Sequence, residues 1–242
     1  MFILDNCPQT FYTVFDNIRE GSGNMTEHKN LVIFDHPLIK HKVTHMCDVN
    51  TGSKEFCELV NEIAMLMGYE ALKDLPMKNI EVTAPLQKIV SPVLAEDFTI
   101  VPILRAGLGM VDGLRSLSPT AKVGHVGLYR DEETLEARQY YFKLPVDAAD
   151  GEVIIVDPAL ATGVSADAAI KLVKDAGCKR IKFMCIFSAN QGVSLLEKKH
   201  PDVTIYTANY SDAPLNDKGY ILTAAGDAGD RVCGTVSYKP QN

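Results

Sequence analysis

The residues best suited to chemistry follow short apolar runs of the chain. Arg105 comes directly after the run 100–104, and Asp157 comes directly after the run 153–156. Arginine holds phosphate oxygens through a permanently charged fork. A carboxylate placed like Asp157 is suited to accept hydrogen bonds from sugar hydroxyls, to face positive charge that develops on a sugar, or to help organise a metal. Arg105 therefore suits a phosphate or pyrophosphate, while Asp157 leaves both a sugar and a metal open.

The loop that begins at Arg105 contains three glycines, Gly107, Gly109 and Gly113. Their spacing is G-x-G-x-x-x-G, one residue longer than the dinucleotide-binding fingerprint, so a Rossmann site is the weaker interpretation. The glycines alone are typical of a plain strand-to-helix turn. Arg105 favours a different role, because a guanidinium group beside the free N–H groups of a helix start suits phosphate or pyrophosphate.

The loop from Val156 to Ser165 runs from an acid through small residues to a helix start. Thr162, Gly163 and Ser165 offer hydroxyls and N–H groups that suit a single phosphate. The G-K-[ST] sequence of nucleoside triphosphate loops is absent from this stretch. Ser165 could equally be an ordinary helix cap, since capping and phosphate binding use the same N–H groups. The loop by itself leaves both interpretations open.

Two further loops carry charge. Residues 219–231 form a glycine-rich stretch with two acids, Asp227 and Asp230, which could present backbone groups to the edge of a flat heterocycle or form a surface turn. The apolar residues Tyr220, Ile221 and Leu222 make full exposure of this stretch less favourable. In the other loop Arg130 lies beside three acids, a pattern typical of solvated surface.

The elements that must position these loops alternate along the chain. The predicted helices cover residues 53–67, with Ser53 capping the first turn, and residues 166–176, with Gly177 at the C-terminal cap. Short Val-, Ile- and Phe-rich runs predict buried strands at residues 98–104, 123–128, 153–156, 181–187 and 203–207. This alternation predicts a mainly parallel sheet covered by helices, with ligands beyond the carboxyl ends of its strands.

Composition narrows the class of protein. The chain has 242 residues, 46% of them hydrophobic, and a formal charge of −7, which disfavours disorder and any protein that works by coating nucleic acid. It has no apolar run of membrane-spanning length and no basic and apolar export signal at its start, so we expect a cytoplasmic protein that binds no membrane. Its six cysteines show no C-x-x-C spacing and are expected to be free thiols.

Residues 1–28 differ from the rest, because a weakly periodic segment is followed by a Gly- and Ser-containing break. We expect an N-terminal extension over 1–28 and one domain over 29–242. The nearby histidines His36, His41 and His45 are expected to serve packing or surface roles, since a metal site would need further ligands in step.

Taken together, the segments 36–42, 51–76, 103–110, 128–135, 156–165, 215–220 and 226–235 resemble the uracil phosphoribosyltransferases, a branch of the type I phosphoribosyltransferases. The order and spacing of these segments carry the resemblance, which covers nearly all of the chain after the extension. It implies an α/β fold with a mainly parallel sheet flanked by helices and a small hood built from N- and C-terminal segments.

The resemblance also implies a reaction. Uracil and 5-phosphoribosyl 1-diphosphate (PRPP) would give UMP and diphosphate, with Mg²⁺ on the diphosphate, in pyrimidine salvage. It further implies a homodimer or homotetramer and leaves activation by GTP open. No nucleic acid is expected as a partner.

Site residues follow from the resemblance position by position. Arg105 and Arg130 would hold the diphosphate, and Asp227 would contact PRPP through magnesium. Asp157, Arg105 and Asp227 are the candidate catalytic residues. The ribose 5-phosphate and ribose hydroxyls would meet Asp157, Pro158, Ala159, Leu160, Ala161, Thr162, Gly163, Val164 and Ser165. Uracil would meet Tyr220, Ile221, Gly226, Asp227 and Ala228.

One departure from the family pattern bears on the base. Thr223-Ala224-Ala225 stands where the family usually has Pro-Gly and an apolar residue, and alanine restricts the backbone more than glycine does. The sequence therefore leaves two alternatives beside uracil transfer. The protein could transfer phosphoribose to another base, or it could be a regulator that senses UMP or PRPP and binds RNA, although the charge of −7 disfavours the regulator.

Overall fold

The computed structural model describes residues 28–130 and 137–235, which form eleven strands and six helices. The strands are β1 Leu31–Ile33, β2 Met77–Thr83, β3 Lys88–Leu94, β4 Thr99–Leu104, β5 Lys122–Val123, β6 His125–Arg130, β7 Ala137–Lys143, β8 Glu152–Val156, β9 Ala159–Leu160, β10 Arg180–Ala189 and β11 Thr204–Ser211. The helices are α1 Pro37–Cys47, α2 Ser53–Ala71, α3 Leu108–Leu117, α4 Val164–Asp175, α5 Asn190–Lys199 and α6 Ala228–Cys233. The expected extension falls almost wholly on residues 1–27, outside the described part.

The predicted parallel sheet is confirmed. Its strands lie in the order β1-β11-β10-β8-β4-β6-β7, with β5 added beside β4 and β9 beside β10. The strand pairs are parallel except β6 with β7. Mostly apolar runs form β4 and β8 at the centre because helices cover both faces of the sheet. All residues of these two strands are buried except Leu104 and Glu152, which are half-buried.

Two apolar cores lie against the sheet. The first contains the inward stripe of α2, including Phe56, Val60 and Ile63, and the second contains Ile170 and Val173 of α4. These helical positions recur at three- and four-residue intervals, so they face one side of each helix. None of the described helices has the length and apolar character needed to cross a membrane.

The structure corrects one predicted helix cap and one predicted strand. Ser53 does not cap α2, because Gly52 is the N-cap residue and the Ser53 hydroxyl donates to the carbonyl oxygen of Arg231 at 2.8 Å. The predicted strand at 123–128 is divided into β5 and β6 at Gly124. The predicted C-terminal cap at Gly177 is confirmed, because this residue follows the end of α4 with φ of 95°.

Arg231 of α6, near the end of the described chain, contacts the early helices α1 and α2 and the residues between them. Its guanidinium group is buried and lies 4.3 Å from the centre of the Phe56 ring. It donates to the carbonyl oxygens of Met46, Ala225, Asp48 and Thr51 at 2.6 to 3.1 Å. A buried guanidinium group is tolerated only when its N–H groups have acceptors. These hydrogen bonds therefore hold α6 against the connection between α1 and α2.

We expect Arg231→Met to lower the free energy of unfolding by about 3 kcal/mol, because buried carbonyl groups lose their donors. Arg231→Lys should recover only part of this loss, since an ammonium group cannot reproduce the planar fork. Urea unfolding measures both effects. Lys198→Met, an exposed change on α5, is the control and should stay within about 0.5 kcal/mol of the wild type. Equal stability of Arg231→Met and the control would contradict this role.

Candidate active site

Parallel pairing brings the first two candidate residues to one edge of the sheet. Pro102 of β4 pairs with Val156, the last residue of β8, so the carboxyl ends of both strands lie at the same edge and β4 extends two residues further. Arg105 and Asp157 follow these strands directly. Arg130 ends β6, the other neighbour of β4, but its side chain and residues 131–136 lie outside the described part of the chain.

Gly107 shows how closely the two loops pack. A Cβ atom at this position would collide with the carbonyl oxygen of Val156 and would lie 2.8 Å from the backbone nitrogen of Ile103. Because these are backbone atoms of the neighbouring strand ends, they cannot move aside cheaply. The absence of a side chain at Gly107 is therefore what lets the Arg105 loop lie against the end of β8. The peptide bond between Leu104 and Arg105 is cis.

Arg105 reaches from the sheet edge towards the third loop. Its side chain is 56% exposed, and Nη2 lies 3.5 Å from Oδ1 of Asp230 in α6. A solvent-exposed pair at this distance is weak, so Arg105 can exchange it for a stronger anion. The structure thus joins the Arg105 loop and residues 219–231, which are more than a hundred positions apart in the sequence.

The loop after β8 forms a cradle at the start of α4. Pro158 O accepts hydrogen bonds from the backbone nitrogens of Ile186 and Phe187 at 3.1 and 2.9 Å, and β9 pairs with β10. Gly163 then turns with φ of 83° and is the N-cap residue of α4. A residue with a Cβ atom is strained at this φ. The backbone turn therefore requires glycine here.

The cap of α4 decides between the two interpretations of this loop. Ser165 lies within the first turn of the helix and is not the cap, so the capping interpretation is wrong. The cap is Gly163, and glycine carries no side chain that could accept from the first N–H groups. The first N–H groups therefore have no side-chain cap, and the positive end of the helix favours an anion beside them. The geometry supports phosphate binding.

Asp157 lies where the chain leaves β8. Its pKa is raised to about 7, mainly by burial and in smaller part by the negative charge of Asp227, while a hydrogen bond from Ala159 N at 3.3 Å lowers it. The side chain is therefore close to half-protonated at neutral pH. A cationic or hydroxyl-bearing ligand would favour its charged form.

The third loop brings its own carboxylate towards the other two. Asp227 caps α6 by accepting from Asp230 N at 2.9 Å, and its Oδ2 atom accepts from the hydroxyl of Tyr220 at 3.0 Å. Ile221 and Ala228 are buried beside it. The loop is therefore anchored in the core and is not the free surface turn that its composition also allowed. Gly226 turns the chain with φ of 74°.

A cavity of about 720 Å³ borders this site. Thr162 and the start of α5, Asn190 and Gln191, form one side, and residues 212–219 form the other. The cavity therefore lies between the predicted phosphate loop and the stretch that leads into Tyr220.

Other predicted residues lie apart from this arrangement. The rings of His41 and His45 pack at 4.6 Å within α1, and His36 accepts a hydrogen bond from Leu38 N at its start. Among the described residues, no cluster of three or more His, Cys, Asp or Glu side chains could hold a metal ion.

Sequence reasoning missed three residues that support the site. Arg231 follows two acids in the sequence, a pattern typical of surface charge. Cys47, whose pKa burial raises to about 11, has its Sγ atom 3.8 Å from Thr223 O in the predicted base-binding stretch. Asn216 organises the turn before Tyr220. Of these, only Asn216 carried a signal, because asparagine two residues before a glycine-containing step is typical of turns.

The comparison with protein-family models decides the family. Residues 32–235 match the model described as uracil phosphoribosyltransferase. The chain belongs to the uracil phosphoribosyltransferase family. A uracil phosphoribosyltransferase of Oceanobacillus iheyensis is 55% identical over 207 residues, which are 85% of this chain and 99% of that relative. The family's order of motifs is therefore kept across the whole described site.

Solved structures agree with the fold. A protein from Aquifex aeolicus matches with a TM-score of 0.79 and 37% identity, over 84% of this chain and 97% of that one. An adenine phosphoribosyltransferase from Trypanosoma brucei matches with a TM-score of 0.52 and 14% identity, over 78% and 88% of the two chains. The second likeness is one of fold alone.

The raised pKa of Asp157 predicts a stability effect. The folded-state pKa of about 7 lies above the value of 3.8 of an unperturbed carboxyl group, so the unfolded chain loses this proton first. Ionisation of Asp157 then costs the native state stability as the pH rises through this interval. We expect Asp157→Asn to raise Tm at pH 8 by about 2–4 °C, with a smaller gain at pH 5.

Calorimetry at pH 5 and pH 8 measures this difference. Asp112→Asn, at an exposed position on α3, is the matched control and should show no gain that grows with pH. A gain for Asp157→Asn that is larger at pH 5 than at pH 8 would contradict the assignment, because the sign of the linkage would be reversed.

Proposed function

We propose that this protein transfers the phosphoribosyl group of PRPP to uracil and releases diphosphate, which makes UMP in pyrimidine salvage. The observation that carries the proposal is the start of α4 after Asp157, where N–H groups without a side-chain cap lie at the carboxyl edge of a parallel sheet. Membership of the family supports uracil as the acceptor.

The loop after β8 would bind the sugar phosphate. The 5-phosphate would accept from the N–H groups and hydroxyls that begin α4, where the helix dipole favours negative charge. Asp157 would accept hydrogen bonds from the ribose hydroxyls, which also favours its ionised form. The residues in this role are Asp157, Pro158, Ala159, Leu160, Ala161, Thr162, Gly163, Val164 and Ser165.

Arg105 and Arg130 would hold the diphosphate. The side chain of Arg105 is exposed and faces Asp230 at 3.5 Å, so it is available to a polyanion that enters this edge. Arg130 follows the neighbouring strand β6. A pair of guanidinium groups on adjacent strand ends suits a ligand with two linked phosphates.

The third loop would bind uracil. Tyr220 and Ile221 precede Gly226, Asp227 and Ala228, and the buried side chains of Ile221 and Ala228 fix the backbone between them. Backbone carbonyl and N–H groups held in this way can match the carbonyl groups and the N3–H of the ring. Recognition through backbone groups depends on loop shape, so Thr223-Ala224-Ala225 is the stretch to which the base specificity is most sensitive.

The chemistry requires two opposite charges to be stabilised at fixed places. Loss of diphosphate from the anomeric carbon leaves positive charge on the ribose and negative charge on the leaving group. N1 of uracil then bonds to the anomeric carbon and loses its proton to water. Asp157 would face the sugar, and the arginines would face the leaving group. Groups that are already in position stabilise the transition state without reorganising.

The donor set at this edge fits a magnesium ion carried mainly by the substrate. The described residues offer no cluster of three ligands, whereas Mg²⁺ in phosphate-transfer sites usually has one or two carboxylates and binds substrate oxygens and water. Asp227 is the residue that would contact it. The ion would neutralise part of the diphosphate charge.

Several expectations stay predictions. These are activation by GTP, assembly into a homodimer or homotetramer, a cytoplasmic location, and the division of the chain into an extension over 1–28 and a transferase domain over 29–242. Gel filtration with and without GTP measures the size of the assembly and whether GTP changes it.

An assay of the purified protein with PRPP and Mg²⁺ tests the proposed reaction. We expect UMP from uracil, with rates at least about 10²-fold lower for cytosine, orotate, hypoxanthine and guanine, because unmatched polar groups in a base site are strongly rejected. Preference for one of these bases would replace uracil as the acceptor. Specific, salt-sensitive RNA binding without transfer would favour the regulator.

Arg105→Ala should lower kcat by roughly 10²- to 10³-fold, the typical cost of one aimed charge-stabilising group. Steady-state kinetics with uracil and PRPP measure the effect. Arg115→Ala, at an exposed position in the last turn of α3, is the matched control and should keep kcat within about 2-fold of the wild type. Unchanged kinetics for Arg105→Ala would remove this residue from the site.

A further inference from the structure

The turn at residues 216–220 is closed by one side chain. Oδ1 of Asn216 accepts hydrogen bonds from the backbone nitrogens of Lys218 and Tyr220 at 3.0 and 2.9 Å. The backbone of the same residue accepts from Gly219 N at 2.8 Å and donates to Tyr220 O at 3.0 Å. Asn216 therefore makes four hydrogen bonds within five residues of chain.

The backbone conformation of this turn needs hydrogen bonds of this kind to stabilise it. Gly219 has φ of 80°, so the chain reverses sharply just before Tyr220. The turn is exposed and borders the cavity of about 720 Å³, so it has little apolar packing of its own. A side-chain oxygen that accepts from two N–H groups of the turn, those of Lys218 and Tyr220, compensates for this, which is the way asparagine commonly fixes turns.

The turn leads directly into the proposed base site. Tyr220 is the last residue of the turn, and its hydroxyl donates to Oδ2 of Asp227 at 3.0 Å. The other oxygen of Asp227 caps α6 through Asp230 N at 2.9 Å. Ile221, the next residue after the turn, enters the core. Asn216 thus sets where the backbone of Tyr220 and Ile221 begins and where the Tyr220 hydroxyl meets Asp227.

We propose that Asn216 is a positioning residue for the acceptor base, acting through the 216–220 turn on the backbone of Tyr220 and Ile221. This rests on the proposed function, because it assigns the role to a base site that includes Tyr220, Ile221 and Asp227. Asn216 itself is exposed and lies in a different loop from the predicted phosphate-binding residues 157–165. Its loss therefore weakens binding of uracil while the phosphoribosyl loop after β8 keeps its geometry.

The chemistry of the acceptor atom gives a sharp set of variants. Asn216→Ala removes Oδ1, which frees both N–H groups. Asn216→Asp keeps an oxygen acceptor of the same size at the same place, and a carboxylate accepts from backbone N–H groups at least as well as an amide. Asp217→Ala changes an exposed side chain of the same turn and leaves the acceptor at 216 in place.

Steady-state kinetics with uracil and PRPP, together with Tm, test the proposal. We expect Asn216→Ala to raise KM for uracil about 10-fold, the order of effect that one or two lost hydrogen bonds produce. KM for PRPP should stay within about 2-fold, and Tm should stay within about 2 °C because the turn is exposed. Asn216→Asp should restore KM for uracil to within about 2-fold, and Asp217→Ala should resemble the wild type.

Three results would overturn the role of Asn216. They are wild-type kinetics for Asn216→Ala, an equal rise of KM for both substrates, and failure of Asn216→Asp to restore uracil binding. Failure of the proposed function looks different, because the wild type would then not convert uracil. If the wild type prefers another base, the same split of KM values, measured with that base, still decides the role of Asn216.

Discussion

The site depends on the close approach of two strand ends. Gly107 lies against the carbonyl oxygen of Val156, at a distance that leaves no room for a side chain. This contact holds the loop after β4 beside the loop after β8, so Arg105 and Asp157 follow neighbouring strands at the same edge of the sheet. The parallel register of β4 and β8 makes the contact possible, because it places the carboxyl ends of both strands at this edge. The rest of the architecture supports this edge.

The charges at this edge are balanced by a substrate of the proposed kind. Asp157 and Asp227 repel each other, and burial raises the pKa of Asp157, so the free protein carries unfavourable negative charge here. Arg105 is engaged only weakly, by Asp230 at 3.5 Å. A ligand with a sugar, a diphosphate and an associated cation supplies partners to all of these groups. Strain of this electrostatic kind is expected where stability is exchanged for activity. It also explains how a chain with a formal charge of −7 can hold a polyanion.

Much of the fold was predictable because the central strands are buried on both faces. Runs such as 153–156 and 181–187 contain little except apolar residues, and the structure confirms them as β8 and β10. The hairpin of β2 and β3 was not predicted, since its side chains are mostly exposed and its pattern is not that of a core strand. The loops Arg105–Gly113 and Val156–Ser165 were found from residue type and position. The roles of Arg231 and Asn216 were not, because both depend on backbone groups that only the folded chain brings within reach.

A crystal structure of the protein with PRPP and Mg²⁺ tests the central claim most directly. The account predicts electron density for the 5-phosphate at the N–H groups that begin α4, with the ribose hydroxyls at Asp157 and the diphosphate beside Arg105 and Arg130. Density for PRPP in the cavity between α5 and residues 212–219, with the start of α4 unoccupied, would contradict it.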